Sequence, residues 1–184
     1  MLTAVKPKEC RQCGASFIPF RFAAKVCSPI CARRYVAETK KIEKATTRAR
    51  KEAIETIPEL IKAAQKEFNA YIRERDKDQP CICCGNPLGK DSIGGGFDCG
   101  HYRSTGSASH LRFDERNAHA QRKHCNRYGA GRAVDYRIGL IARIGLPAVE
   151  ALEADNQPIK WDRETLRQIK VIYRAKTREL KRNA

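Results

Sequence analysis

Four short strings between residues 81 and 126 bring together residue types suited to metal-assisted chemistry: Cys81-Ile82-Cys83-Cys84-Gly85, Asp98-Cys99-Gly100-His101-Tyr102, Arg116-Asn117-Ala118-His119-Ala120-Gln121 and His124-Cys125-Asn126. Hydrolysing a phosphodiester needs a base to take a proton from water and a cation to stabilise charge on the phosphate and the departing oxygen. His101 suits the first task, because an imidazole titrates at roughly pH 6.5 and its neutral form accepts a proton. Asp98, Asn117, His119 and Asn126 carry the oxygen and nitrogen donors that a divalent cation takes. In a regular strand, residues three apart point to opposite faces, which would turn Asp98 away from His101. A bulge at Gly100 would swing the carboxylate back. His119, two residues beyond Asn117 on the same face of an extended segment, is the competing ligand. Against these stand simpler readings: Asp98 orients His101 or a nearby amide, and His119 is a satisfied core histidine.

Further strings extend the pattern: Phe68-Asn69-Ala70-Tyr71-Ile72-Arg73-Glu74-Arg75-Asp76, Gly100-His101-Tyr102-Arg103, Leu111-Arg112-Phe113-Asp114-Glu115-Arg116-Asn117 and Tyr136-Arg137-Ile138-Gly139-Leu140-Ile141. With the N-terminal cysteines, they resemble the NinG/Rap recombination proteins of lambdoid phages, whose core is of the HNH type of ββα-metal nucleases. The resemblance implies that His101 is the general base, that Asn117 holds the loop of that base, and that Asn126 approaches a catalytic Mg²⁺ or Mn²⁺. It implies a structure-specific endonuclease acting on branched DNA such as Holliday junctions and D-loops, leaving a 5′ phosphate. Phage recombination proteins are the implied protein partners, and the host cytoplasm the implied location. Arg103, Arg112, Arg116, Arg127 and Arg132 are the expected DNA contacts.

One departure concerns the structural zinc. The family shows a second Cys-x-x-Cys that falls on positions 122 and 125, and here position 122 is arginine. Cys81, Cys84 and Cys125 remain, and a closed zinc site normally takes four ligands. His124, beside Cys125, is the first candidate for the fourth, ahead of Cys99 and Cys83. Otherwise the metal is lost and packing alone holds the core.

Other elements must position these residues. Cys10-x2-Cys13-x13-Cys27-x3-Cys31 predicts a four-thiolate zinc module over residues 1–35, with Phe17, Phe20 and Phe22 forming a small apolar cluster. Arg11, Arg21, Lys25, Arg33 and Arg34 would face a DNA backbone, unless the module is only a cap or a protein-docking unit. Residues 31 to about 55 read as an exposed basic helix. A second helix begins near Thr56 and Pro58 and buries Leu60, Ala64, Phe68, Tyr71 and Ile72; the two make a linker and brace over 36–78. The nuclease-like core spans 79–145. Within it, residues 89–96 form a glycine-rich loop, residues 103–110 a polar one with His110 exposed, and the closing helix packs through Val134, Ile138 and Ile141. A helical extension over 146–184 holds a short helix after Gly145 and Pro147, Trp161 as a core anchor, and a last helix capped by Asp162 carrying Leu166, Ile169 and Tyr173. The fold class is α+β: a zinc module, a helical linker and a treble-clef-like ββα core wrapped by helices.

Composition agrees with a polyanionic partner. The chain has 184 residues, 37 Lys and Arg against 21 Asp and Glu, and a formal charge of +16. Such a charge attracts nucleic acid and makes binding salt-dependent. Nine cysteines at knuckle spacings fit zinc in a reducing compartment better than disulfides. No stretch approaches the roughly 20 apolar residues of a membrane span. Two rivals stand beside the nuclease: a non-catalytic protein that binds branched DNA and recruits partners, and a zinc-bearing transcription regulator. Resolving a symmetric junction would favour a homodimer.

Overall fold

A computed structural model describes residues 6–89 and 96–183 and divides the chain into two units, Met1–Glu55 and Thr56–Ala184. In the first, a two-residue pair, β1 (Lys8–Glu9) with β2 (Ser16–Phe17), leads to helix α1 (Pro29–Ile54). Ser28 starts α1: its hydroxyl accepts the Cys31 amide at 3.2 Å, and Pro29 brings a φ already suited to the first turn. Helix α1 buries no residue, as its run of Lys, Arg, Glu and Ala predicts. Cys10 and Pro19 are the buried residues among those described in this unit. The expected Phe17, Phe20 and Phe22 cluster does not form. Phe20 and Phe22 are 82% and 94% exposed, and the module closes around its cysteines instead.

The second unit opens with a reciprocal cap in which Thr56 and Glu59 each hold the other's backbone amide, starting helix α2 (Ile57–Arg75). Leu60, Ala64, Phe68 and Ile72 form its buried stripe. They pack on α5 (Arg163–Arg182), which starts at the Asp162 cap and turns Leu166 and Tyr173 inward. The ring of Phe68 meets Tyr173 edge-on at 4.8 Å and Phe113 at 5.7 Å, and Trp161 closes on Phe113 at 5.1 Å.

Against α2 also packs an antiparallel hairpin, β3 (Phe97–His101) with β4 (Ala118–Arg122). Its register is unbroken: Asp98 faces Gln121, Cys99 faces Ala120, Gly100 faces His119 and His101 faces Ala118. No bulge forms at Gly100, so Asp98 and His119 share one face of the hairpin and His101 takes the other. Gly100 is needed for a different reason, since a Cβ there would lie 2.2 Å from the Gln121 side-chain oxygen. The glycine-rich stretch expected before β3 falls largely on residues 90–95, outside the described residues.

After β4 the chain makes a short wide turn, His124–Tyr128, then passes through left-handed Ala130, Gly131 and Arg132 before α3 (Ala133–Ile144) and α4 (Leu146–Ala154). Tyr136 and Leu140 of α3 join Ile82, Leu111, Val149 and Leu152 in a second core. Val134 and Ile138, expected to pack, lie on the exposed side. Gly139 sets this orientation, because a Cβ there would stand 1.7 Å from the Ile82 carbonyl oxygen. His110, expected to be exposed, is partly buried, with Nε2 2.9 Å from the Asp155 carbonyl. Among the described residues, no helix is long and apolar enough to cross a membrane.

Candidate functional site

His101 ends β3 with its ring 5.9 Å from that of Phe68. Its Nε2 lies 3.0 Å from the Arg112 carbonyl oxygen. A carbonyl only accepts, so Nε2 carries the hydrogen and Nδ1 keeps a lone pair. Burial holds the imidazole pKa below its usual 6.5, with the Arg112 carbonyl pulling the other way. The ring is therefore neutral at neutral pH. It lines a cavity of about 520 Å³ together with Cys99, Ser104, Thr105, Asn126 and Tyr136.

The segment that follows His101 is tied down by Asn117, which is fully buried. Its side-chain oxygen accepts the Arg103 amide at 2.8 Å, and its Nδ2 donates to the carbonyls of Arg103 and Leu111 at 3.0 and 3.1 Å. One side chain thus clamps both ends of the loop between β3 and the first short turn, Ser109–Leu111. Tyr136 adds a second restraint, its hydroxyl donating to the Gly100 carbonyl at 3.0 Å.

The expected cation ligands are distributed unevenly. Asn126 reaches the His101 cavity, and its Nδ2 is 3.2 Å from Asp98 Oδ2. Asp98 is also held by Arg127, through Nε at 2.8 Å and Nη2 at 3.0 Å. Burial pushes its carboxyl up, but Arg127 and Asn126 more than offset this and keep it below the usual range. His119 goes elsewhere. It is 3% exposed and faces a cleft with Arg75, Asp76 and Arg143, where its Nδ1 has no hydrogen-bond partner. Burial lowers its pKa to about 4, with Arg75 adding to the effect. Among the described residues, the groups of three or more His, Cys, Asp or Glu close enough to share an ion are two sets of cysteines.

Those sets are Cys10, Cys13, Cys27 and Cys31, and Cys81, Cys83, Cys84 and Cys125, each with its sulfur atoms within 4.8 Å of one another. Four converging thiols are the donor set that zinc takes in closed sites. Backbone amides prepare one sulfur in each. Cys10 is lowered to about 6 and Cys81 to about 7, because amide donors there outweigh burial. The structure thus supplies the missing fourth thiol from Cys83, not His124. Cys83 sits in the knuckle turn itself, 3.5 Å from Cys81, whereas His124 is exposed and leans toward the Tyr128 ring at 6.4 Å. Cys99 is buried in a different cluster, the α2–α5 core, and burial raises its thiol to about 12. Arg122 still contributes through its backbone, donating its amide to Cys81 Sγ at 3.3 Å.

The five arginines expected on DNA are engaged within the protein. Arg103 donates to the Leu152, Glu153 and Asp155 carbonyls, closing the C-terminal end of α4. Arg112 holds the Thr105 carbonyl and Gln65, with its Nε buried and unbonded. Arg116 pairs with Asp114, Arg127 with Asp98 and Arg132 with Asp135. The exposed pairs are weak and can open to a stronger anion, whereas Arg103 is committed to the fold. Sequence reasoning missed Asp76, which is 4% exposed, takes a two-pronged contact from Arg75 and accepts the Ala120 amide at 2.9 Å. Its position at the end of the string carried by α2 was the available signal.

The class of protein is then a helix-rich α+β chain with two four-cysteine clusters fit for zinc and a histidine-bearing hairpin clamped by a buried asparagine. The family model described as Bacteriophage Lambda NinG protein matches residues 3–183, and the chain belongs to this NinG family. It is 37% identical to Protein ninG of Salmonella phage P22 over 96% of this chain and 92% of that protein. It is 37% identical to Protein ninG of Escherichia phage lambda over 84% and 83% of the two chains, and 44% identical to that of Escherichia phage 933W over 72% and 63%. No solved structure matches.

Proposed function

We propose that the protein is a structure-specific DNA endonuclease acting on branched DNA in phage recombination, with β3, β4 and the helical turn after Cys125 serving as an HNH-type ββα core. The observation that carries this reading is His101: neutral, hydrogen-bonded to a carbonyl through Nε2, its other nitrogen available to a proton, and its loop clamped by Asn117. In the reaction, His101 Nδ1 takes a proton from the attacking water, and the Arg112 carbonyl steadies the imidazolium that forms. Asn117 keeps the loop from drifting, and Tyr136 fixes the strand beside it. Asn126, which lines the His101 cavity, would present a divalent cation there, and Asp98, on the opposite face of the hairpin but within 3.2 Å of Asn126 Nδ2, is the carboxylate that would hold it; Mg²⁺ suits so sparse a set because it keeps several waters and takes substrate phosphate oxygens. When bound, the cation would stabilise charge on the phosphate and the departing 3′ oxygen. Arg127 leaves Asp98 for a phosphate as DNA enters. The two cysteine clusters would hold structural zinc, and a net charge of +16 would draw in the substrate.

A second reading has a specific observation behind it: Asp98 is occupied by Arg127, and His119 lies in another cleft, so the cation site is not preassembled. A non-catalytic protein that binds branched DNA and recruits partners would tolerate this. The two readings separate on Mg²⁺-dependent cleavage of matched linear, D-loop and four-way-junction DNA, comparing wild type with His101→Ala and measuring binding in parallel. The nuclease requires cutting of branched DNA that falls by at least ~10²-fold in the variant while binding persists. Structure-selective binding with no cutting by wild type, in Mg²⁺ or Mn²⁺, would sink it.

A further inference from the structure

The first unit leaves three large apolar side chains uncovered within five residues: Ile18 at 72%, Phe20 at 82% and Phe22 at 94% exposure. Single exposed apolar residues are ordinary, but a run of this density flanked by cations is not. Both rings carry a positive group. Lys8 Nζ lies 4.8 Å from the centre of Phe22, and the Arg21 guanidinium lies 5.8 Å from the centre of Phe20. The segment is also fixed to the module beneath it. Lys8 donates to the Phe22 carbonyl, Ala24 donates to the Arg21 carbonyl at 2.9 Å, and the Arg11 amide donates to the Lys25 carbonyl at 3.0 Å. These bonds tie the backbone of the strip to the cysteine-bearing turns, so less of that backbone is left to order on binding.

An exposed aromatic ring with a cation over one face matches a nucleotide, whose base stacks on the other face while its phosphate meets the charge. Bases inside a duplex are already stacked on each other, so only an unpaired stretch offers free faces. We propose that residues 18–22 are a stacking platform for unpaired nucleobases, which directs the protein to branched DNA containing a single-stranded stretch, such as a displaced strand, over a fully paired four-way junction. This rests on the nucleic-acid reading above and names the substrate class within it. Charge complementarity argues for this occupant over an apolar peptide or a membrane: the segment holds Arg21 itself, with Lys8, Arg11 and Lys25 bonded to it or to its neighbours.

The test uses the full-length protein without added divalent cation, with 2-aminopurine placed at an unpaired position of a D-loop or at a paired position of a four-way junction. Wild type should quench the unpaired probe and bind the D-loop more tightly. Phe20→Ala/Phe22→Ala should lose the quenching and weaken D-loop binding by about tenfold or more, with four-way-junction binding little changed. Phe20→Trp/Phe22→Trp should retain both effects. Unchanged quenching in the alanine variant overturns the proposal. So does full retention by Phe20→Leu/Phe22→Leu, which would mark a generic apolar contact for a protein or a lipid surface. Ring-dependent quenching in a protein that cuts no DNA would leave this inference standing while the nuclease reading falls. A wild type that binds no DNA ends both.

Discussion

At the scale of single residues, His119 gives the cleanest measurable consequence. Its folded pKa is depressed from 6.5 to about 4, so the folded state favours the neutral ring and the unfolded chain binds the proton first. The stability this contributes is fully present above about pH 6.5 and is lost as pH falls toward 4, because in that window the unfolded state carries more protons. Taking the protein from pH 7 to pH 5 should cost about 2 kcal/mol through this group alone. Urea denaturation across that range should show the loss, and His119→Gln should flatten it; a variant with the same pH slope as wild type would show that another group titrates. His101 shares the direction of shift, so on the nuclease reading proposed above cutting should hold level around neutrality and fall only in acid. The candidate site was legible in part from residue type: His101 ends β3, Asn117 clamps the loop that follows it, and Asn126, in the turn after β4, lines the same cavity as His101. Side-chain direction was less legible. Asp98 and His119 depended on whether Gly100 bulged, and Cys83 on whether a turn would aim its thiol at Cys81, neither of which spacing can decide.

Elements tell a similar story. The stripes of α2 and α5 could be read from sequence because each helix has one apolar face and a charged remainder, and both N-caps were visible in Thr56 and Asp162. The face of α3 could not. Val134, Ile138 and Ile141 recur at helical spacing, but Tyr136, Leu140 and Ile144 do so equally; Ile141 packs against the second core as expected while Val134 and Ile138 stay exposed, because periodicity cannot choose between two apolar faces of one helix. The choice falls to Gly139, whose missing side chain lets α3 settle against Ile82. Two substitutions check these assignments by thermal or urea denaturation. Phe68→Ala, which empties the fully buried position between Tyr173, Phe113 and His101, should cost about 3–5 kcal/mol. Gly139→Ala should cost about 1–3 kcal/mol or more by overpacking, whereas Ile138→Ala on the exposed side should change little.

For the whole molecule, the two units differ in what holds them. The second has three buried clusters, and the first has only Cys10 and Pro19 buried among its described residues. A strong chelator should therefore unfold the N-terminal module while the α2–α5 core persists, because four thiolates without a metal leave that module almost nothing to pack. Hydrogen exchange would show rapid loss of protection over residues 8–28 with α2 and α5 still protected; a module that kept its protection would not depend on metal. The cysteine pattern marks the first unit in the sequence, and the apolar stripe from Leu60 to Ile72 marks the bracing helix, which meets α5 as a brace against the C-terminal helices should. The contact of Gly139 with Ile82 links the second cysteine knuckle to β3 as a train of stiff joints. Ile82 lies next to Cys81 and bears on α3, and Tyr136 of α3 grips Gly100 beside His101. Slackening at the knuckle would then travel along that train, so the set of the His101 ring would answer to a loop of cysteines in a separate cluster.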